Sequence, residues 1–455
     1  MRRMLKWLGT AVVAVAAIVV LSWLAGRASG PGRMQREALA LMQAPWSAPG
    51  SNAFDALWLL PYPVADADMA GIVERDAARL RAAPPPGGDG WTGASAFRSE
   101  AATHHPVQLL DSDDRARLCT AYGEDCLIRV RADLPAYQAL LERHAGLFQR
   151  VAALERHGHV ANRFPARMDM PFPPLDLARA GTTHAAVLFA QGDLDAGLAV
   201  ACRDLATWRR LAANSDMLVV AMMGVSASDA GGRLIAGMLS ELPADHAVPG
   251  ACRAALRPPQ PEELTLCQAM RGEFAYATGA RASLAQRPHP LLYNETKSRG
   301  MAALRLADAC MPQARDRIAA DQPFPAPPAP RPTPLACVDN LVGCILDSIA
   351  APAYAQYSTR ALDHGARLRL LAALLWLRDT ASDRRPLAAR LAELPQPLRS
   401  PARPLQPGSD GASLRVRQYD APAADDDWFE LPLPGARAGV PEDGPEGQRS
   451  RLRRT

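Results

Sequence analysis

Lysine is nearly missing from this chain. Of its 51 basic side chains only Lys6 and Lys297 are lysines, and with abundant alanine and 41 prolines the arginine bias points to a GC-rich bacterial coding sequence. An excess of charge is missing too. The net charge of +4 includes Arg2, Arg3 and Lys6 at the very start. The remaining body is therefore close to neutral and offers no basic footprint for nucleic acid.

Signatures of known catalysis are also wanting. The stretch GVSAS (Gly224–Ser228) stops short of G-x-S-x-G, and neither H-E-x-x-H nor a phosphate-binding glycine loop occurs. Asp66, Asp68 and Gly71 begin like a calcium loop, but Ala70 and Ala77 stand where that loop requires ligands. Cysteines at zinc-binding spacing do not occur. His157 and His159 form the tightest histidine pair, with no third ligand nominated. They follow a helical run, where Gly158 suits a C-cap and the helix dipole favours histidine. His104 and His105, before Pro106, read as loop, and the acidic runs at 111–114 and 425–427 read as surface turns. Glu142 and Glu273 remain as acid/base candidates on expected helices, against the ordinary solvated helix face. No cofactor is expected.

Long apolar runs are scarce, and the chain starts with one. Uncharged residues extend from Leu8 to Gly26, preceded by Arg2, Arg3 and Lys6. As a helix that run reaches roughly 28 Å, close to the ~30 Å hydrocarbon core of a bilayer. Positive charge before it places the N-terminus in the cytoplasm and exports the rest. The rival is a signal peptide cleaved after Ala28, with Gly26 and Ala28 as the small-x-small site. A signal core usually spans only ~7–15 residues, and Trp7 and Trp23 sit near the ends of this run, where interfacial aromatics are common. Later runs compete poorly. Asp229 and Arg233 interrupt the apolar stretch 217–239 and, four apart, can pair on a helix. Leu370–Leu377 is too short to span and lies between Arg369 and Arg378. Both read as core helices.

Export gives the eight cysteines a meaning, because disulfides persist in an oxidising compartment. An even count permits full pairing without fixing the partners. On one straight helix Cys119 and Cys126 would lie about 10.5 Å apart along the axis, beyond the ~7 Å that a disulfide tolerates. Gly123 interrupts the stretch, so a bend can join them. Cys337 and Cys344 repeat the spacing, with Asp339 or Asn340 able to cap a helix holding Cys344; Cys310 is the other partner open to Cys337. Cys252 and Cys267 flank the turn-rich RPPQPEE and form the third expected pair, with Cys202 a buried thiol.

Along the body, helical periodicity dominates. Ser51 or Asn52 caps a run whose Phe54, Leu57 and Trp58 share a face, ended by Pro61. Residues 83–95 form a Pro/Gly loop. Leu134, Tyr137, Leu141, Leu147, Phe148, Val151 and Leu154 make one stripe along an expected helix over 134–158. Residues 183–211 read as two helices hinged at Gly192-Asp193, with Asp193 capping the second; no 34-residue repeat follows. Pro352 should break or kink the helix after 340. The alternation in Ser413–Tyr419 and the run Asp427–Leu433 suggest a β-hairpin.

The stretches NAFDALWLL (52–60), CLIRVRADLPAYQALLERH (126–144), NLVGCILDSIAAPAYAQYSTR (340–360) and ARLRLLAALLWLR (366–378) resemble an uncharacterised family of membrane-anchored, exported, mostly helical bacterial proteins. That resemblance implies no activity. Residues 387–419 are also similar to the C-terminal end of pseudopilin-type proteins, departing in the lack of Tyr-Pro and of a prepilin cleavage context.

The resulting expectation is an all-α, irregular helical-hairpin protein with a small C-terminal β-hairpin. Residues 1–7 are cytoplasmic, 8–26 the transmembrane anchor and 27–320 a periplasmic helical domain. Residues 321–336 form a Pro-rich connector, 337–434 the C-terminal helices and hairpin, and 435–455 a disordered basic tail. That tail fits a frayed terminus, with contact to anionic lipid or wall polymer as the other reading. The expected role is a scaffold or binding protein of the bacterial envelope, held in the inner membrane by its first helix and engaging an envelope protein. An exported hydrolase with a site assembled from scattered Glu, Asp and His residues is the alternative.

Overall fold

The local signals in the chain favour helix nearly everywhere, and the computed structural model is 63% helical with 4% strand. It describes residues 2–84, 97–121, 125–282, 289–325, 337–420 and 427–437. Most of the 83–95 loop, Gly123, most of the Pro-rich connector and most of the basic tail lie outside the described residues.

The first helix, Arg2–Ala28, is apolar over Trp7–Ala28 and projects its large side chains into the surroundings. A second helix is long and apolar enough to cross a membrane by composition, Leu218–Glu241, but it is 67% buried within the body. It is a core helix. The Leu194–Ala213 helix packs between it and the Ala180–Ala190 helix. Gly192, at φ +100, turns the chain between the last two, in a backbone region that glycine enters without penalty. Asp193 occupies the N-cap position of the second helix without bonding its backbone through the side chain.

The expected helix over 134–158 is divided into Leu134–Arg143, Ala145–Ala153 and a 3-10 turn at Leu154–Arg156. His144 breaks the first two apart. Its Nε2 lies 2.8 Å from Asp114 Oδ2, while Arg143 donates to Asp114 Oδ1 at 2.6 Å. Asp114 is thus buried, not part of a solvated turn, although Asp111 does cap the short helix Ser112–Arg117. Asn52 clamps the start of the Phe54–Trp58 helix by accepting from the backbone N–H groups of Phe54 and Ala161. Asp66 and Asp68 lie in the first turn of the Asp66–Ala82 helix, not in a loop.

The longest helix, Leu341–Asp379, runs through Pro352 without interruption of its helical backbone. A proline removes one ladder bond and crowds the preceding turn; here the helix absorbs it. Leu368, Leu370, Leu371 and Leu374 join the same core as Leu205, Leu234 and Phe54. Residues on both sides of the 321–336 segment therefore share one core.

Three short strands complete the fold: β1 (Gln406–Pro407), β2 (Ser413–Arg417) and β3 (Trp428–Pro432), antiparallel in the order β1-β2-β3. Leu414 pairs with Leu431 and Val416 with Phe429, and these four face the core. The opposite face carries Arg415, whose guanidinium lies 4.3 Å from the Trp428 ring. This period-two alternation is what identified the hairpin in the sequence; β1 is too short to carry such a signal.

A buried ionic network fastens the sheet to the long helix. Arg403 is held by Asp321 and Asp363 and donates to the Leu362 carbonyl at 2.9 Å. Arg369 and Ser400 also donate to Asp321, and the backbone N–H of Tyr419 donates to Asp363 at 2.9 Å. Asp321, the first residue of the expected connector, is a core residue in the left-handed region at φ +52, which Asp enters more readily than most side chains.

Candidate functional site

The cysteines come first because their pairing fixes which segments meet. The structure joins Cys119 to Cys126 and Cys337 to Cys344, with Cα separations of 5.6 and 6.0 Å. Two further bridges differ from the expectation. Cys252 bonds Cys202, which is no free thiol, and Cys267 bonds Cys310. Cys252 and Cys202 lie in the main core, whereas Cys267 starts a helix that carries Ala269, Met270 and Phe274 into a second apolar cluster. The proline-rich turn between 252 and 267 thus directs the two sulfurs to different cores. Among the described residues no cysteine is free.

The acid/base candidates separate. Glu142 is exposed. Glu273 accepts a 2.8 Å hydrogen bond from the Tyr354 hydroxyl, and burial raises its pKa against that bond. Asp229 does not pair with Arg233 along its own helix. It faces the long helix instead, where His364 Nδ1 lies 2.9 Å from Asp229 Oδ1 and Arg367 binds the other oxygen. Burial alone would raise the Asp229 pKa, but Arg367 and His364 outweigh it and hold the carboxylate below its ordinary value. Arg233 stacks over Phe429 at 4.2 Å. This Asp–His pair is arranged as a general base is, with the carboxylate fixing the imidazole. His364 also lines a cavity of about 10 Å³ with Arg209, Glu263 and Leu368. That volume admits about one water.

The remaining histidines diverge. His157 Nδ1 meets Ser51 Oγ at 3.0 Å and His159 Nδ1 meets the Pro49 carbonyl at 2.9 Å. Gly158 serves a close approach of the Pro49 carbonyl, not a left-handed C-cap. Among the described residues no group of three His, Cys, Asp or Glu side chains is placed to hold a metal ion. His104 and His105 line an open cleft of about 310 Å³ with Asp68, Ile72, Arg75 and Glu100. Arg75 and Glu100 in its lining pair at 2.8 Å, and Asp68 adds a second carboxylate.

One further constellation was not legible beforehand. The last turn of the first helix is joined to the body. Trp23 Nε1 donates to the Leu291 carbonyl at 2.8 Å, and Arg27 donates to the Tyr293 carbonyl at 3.2 Å. Gly26 is buried against Asp339, whose carboxylate would collide with any Cβ there. Asp339 in turn binds Lys297 Nζ at 2.7 Å and Asn294 Nδ2 at 2.8 Å. Burial would raise its pKa, but Lys297 and Asn294 hold it below the ordinary value. Asn340 occupies the N-cap position of the long helix, yet its side chain accepts from the Asn294 N–H at 2.8 Å instead of capping. The only lysine beyond the first helix therefore neutralises the carboxylate against which that helix ends.

The chain matches no protein-family model, its sequence finds no match among curated proteins, and its fold finds none among solved structures.

Proposed function

We propose that this chain is a single-pass inner-membrane protein of the bacterial envelope. Its N-terminus is cytoplasmic and its disulfide-stapled body periplasmic, where it acts as a scaffold or binding protein for another envelope protein. The observation that carries the reading is the junction at Trp23, Gly26 and Arg27. Cleavage after Ala28 would sever all three from the body they bond. The charge order of Arg2, Arg3 and Lys6 ahead of the apolar helix supports the orientation, and four disulfides support an oxidising side. Binding is favoured over enclosed chemistry because the cavity beside His364 has room for about one water, while the His104–His105 cleft is open and far larger. Intact mass of the membrane-extracted protein, with protease protection in spheroplasts, tests placement: a mature chain beginning at Ser29, or a body protected from external protease, overturns it. Photo-crosslinking from Asp68 and His104 in cells tests the binding role; repeated absence of any crosslinked envelope protein overturns that part.

The hydrolase alternative has one specific observation in its favour, the buried Asp229–His364 hydrogen bond. Turnover of ester or glycoside substrates that disappears in His364→Gln, with folding retained, would establish it over the binding role.

A further inference from the structure

Two segments beside the anchor together expose a cluster of large apolar side chains. Leu291 and Leu292 are 54% and 44% exposed, and Leu341, Ile345 and Ile349 are 47%, 49% and 70% exposed. The last three recur every fourth residue, so they form one stripe on the first turns of the long helix. The segments are tied together, since Val342 N–H donates to the Leu292 carbonyl at 3.0 Å. They are also tied to the first helix, because the Leu291 carbonyl accepts from the Trp23 indole. The Cys337–Cys344 bridge and the buried Lys297–Asp339 pair fix the start of the stripe.

We propose that this apron lies in the membrane interface, so that the body rests on the bilayer as well as being anchored in it. The inference depends on the anchor reading given above. Tryptophan near the end of a spanning helix sits at the headgroup level. Leu291, whose carbonyl that indole binds, is carried at the same depth, and Leu24 on the anchor itself is 50% exposed. The apolar surface is thus continuous from anchor to body. A lipid boundary accepts such side chains to a depth of about 5–10 Å without demanding a complementary shape. The stripe at 341, 345 and 349 then acts as a short monotopic element that fixes how the body tilts over the membrane.

The full chain in nanodiscs of phosphatidylethanolamine and phosphatidylglycerol tests this. With all described cysteines in disulfides, a single added thiol can be spin-labelled at Ile349→Cys, Leu291→Cys, the anchor site Val15→Cys and the distal Ser382→Cys. Collision with oxygen should exceed collision with the water-soluble nickel reagent several-fold at 349, 291 and 15, with the order reversed at 382. Aqueous behaviour at 349 and 291 with lipid behaviour at 15 overturns the apron and leaves the anchor standing. Aqueous behaviour at 15 as well removes both. Shielding of 349 from both reagents overturns the lipid assignment in favour of a covering protein. Should added thiols disturb the bridges, Ile349→Trp with interfacially brominated lipid gives the same reading: added emission that is quenched supports the apron, and unquenched emission overturns it.

Discussion

Trp23 and Leu291 stand 268 residues apart in sequence and are joined by one hydrogen bond of 2.8 Å from indole to carbonyl. That bond makes the end of the apolar helix part of the folded body. The close contact of Gly26 with Asp339 makes the same junction intolerant of bulk.

Gly26→Leu should accordingly destabilise the body by about 1–3 kcal/mol, the usual cost of overpacking. Gly9→Leu, at a position with no neighbour within 4 Å, should leave it unchanged. Thermal unfolding of both variants in nanodiscs decides the point; equal melting temperatures would remove the junction from the fold.

Peptide mapping without reduction should recover a Cys202–Cys252 link and a Cys267–Cys310 link, and no Cys252–Cys267 peptide. Replacing Cys202 and Cys252 together by serine releases a long loop and should cost about 2–5 kcal/mol. Denaturant titration under oxidising conditions measures it.

Asp204 gives stability a pH dependence. Burial pushes its carboxyl from 3.8 up to about 7, with the Thr182 hydroxyl acting against the shift. The folded chain then keeps a proton that the unfolded chain releases, so the contribution is full below the unfolded value and is lost as pH rises toward 7. Asp204→Asn stays neutral throughout. Its unfolding free energy should therefore fall less than that of the native chain between pH 5 and pH 8, and parallel curves would refute the assignment.

Arg403→Ala should cost about 3–5 kcal/mol, because it leaves the buried Asp321 and Asp363 without their shared cation. Adding Asp363→Asn to that variant should recover part of the loss, since Asp321 keeps Arg369 and no buried carboxylate then lacks a cation. A double variant less stable than the single one contradicts this account.

What could be read beforehand was local. Gly192-Asp193 marked a hinge because its chemistry needs no distant partner, and Leu414 and Val416 declared a strand by alternation alone. Asp114 and Asp339 read as surface-turn or capping groups, and Asp229 as a partner of Arg233, because their true partners, His144, Lys297 and His364, lie 30, 42 and 135 residues away. Cys252 joins Cys202 and not Cys267 for the same reason, since proximity in sequence says nothing about which core each sulfur enters. The Trp23 junction left no signal either, because a carbonyl acceptor such as that of Leu291 is carried by every residue alike.

Arg403 closes a circuit of charge between the strand region and the long helix, and also donates to the Arg417 carbonyl of β2. The long helix cannot open without stripping Arg403 of Asp363, nor β2 without stripping these buried ions of the Arg417 carbonyl and the Tyr419 N–H. The slowest amide protons of β2 and of the core half of the 341–379 helix should therefore exchange with deuterium through one shared opening, with matched protection, so that these terminal strands behave as the keystone of the body and not as its fraying edge.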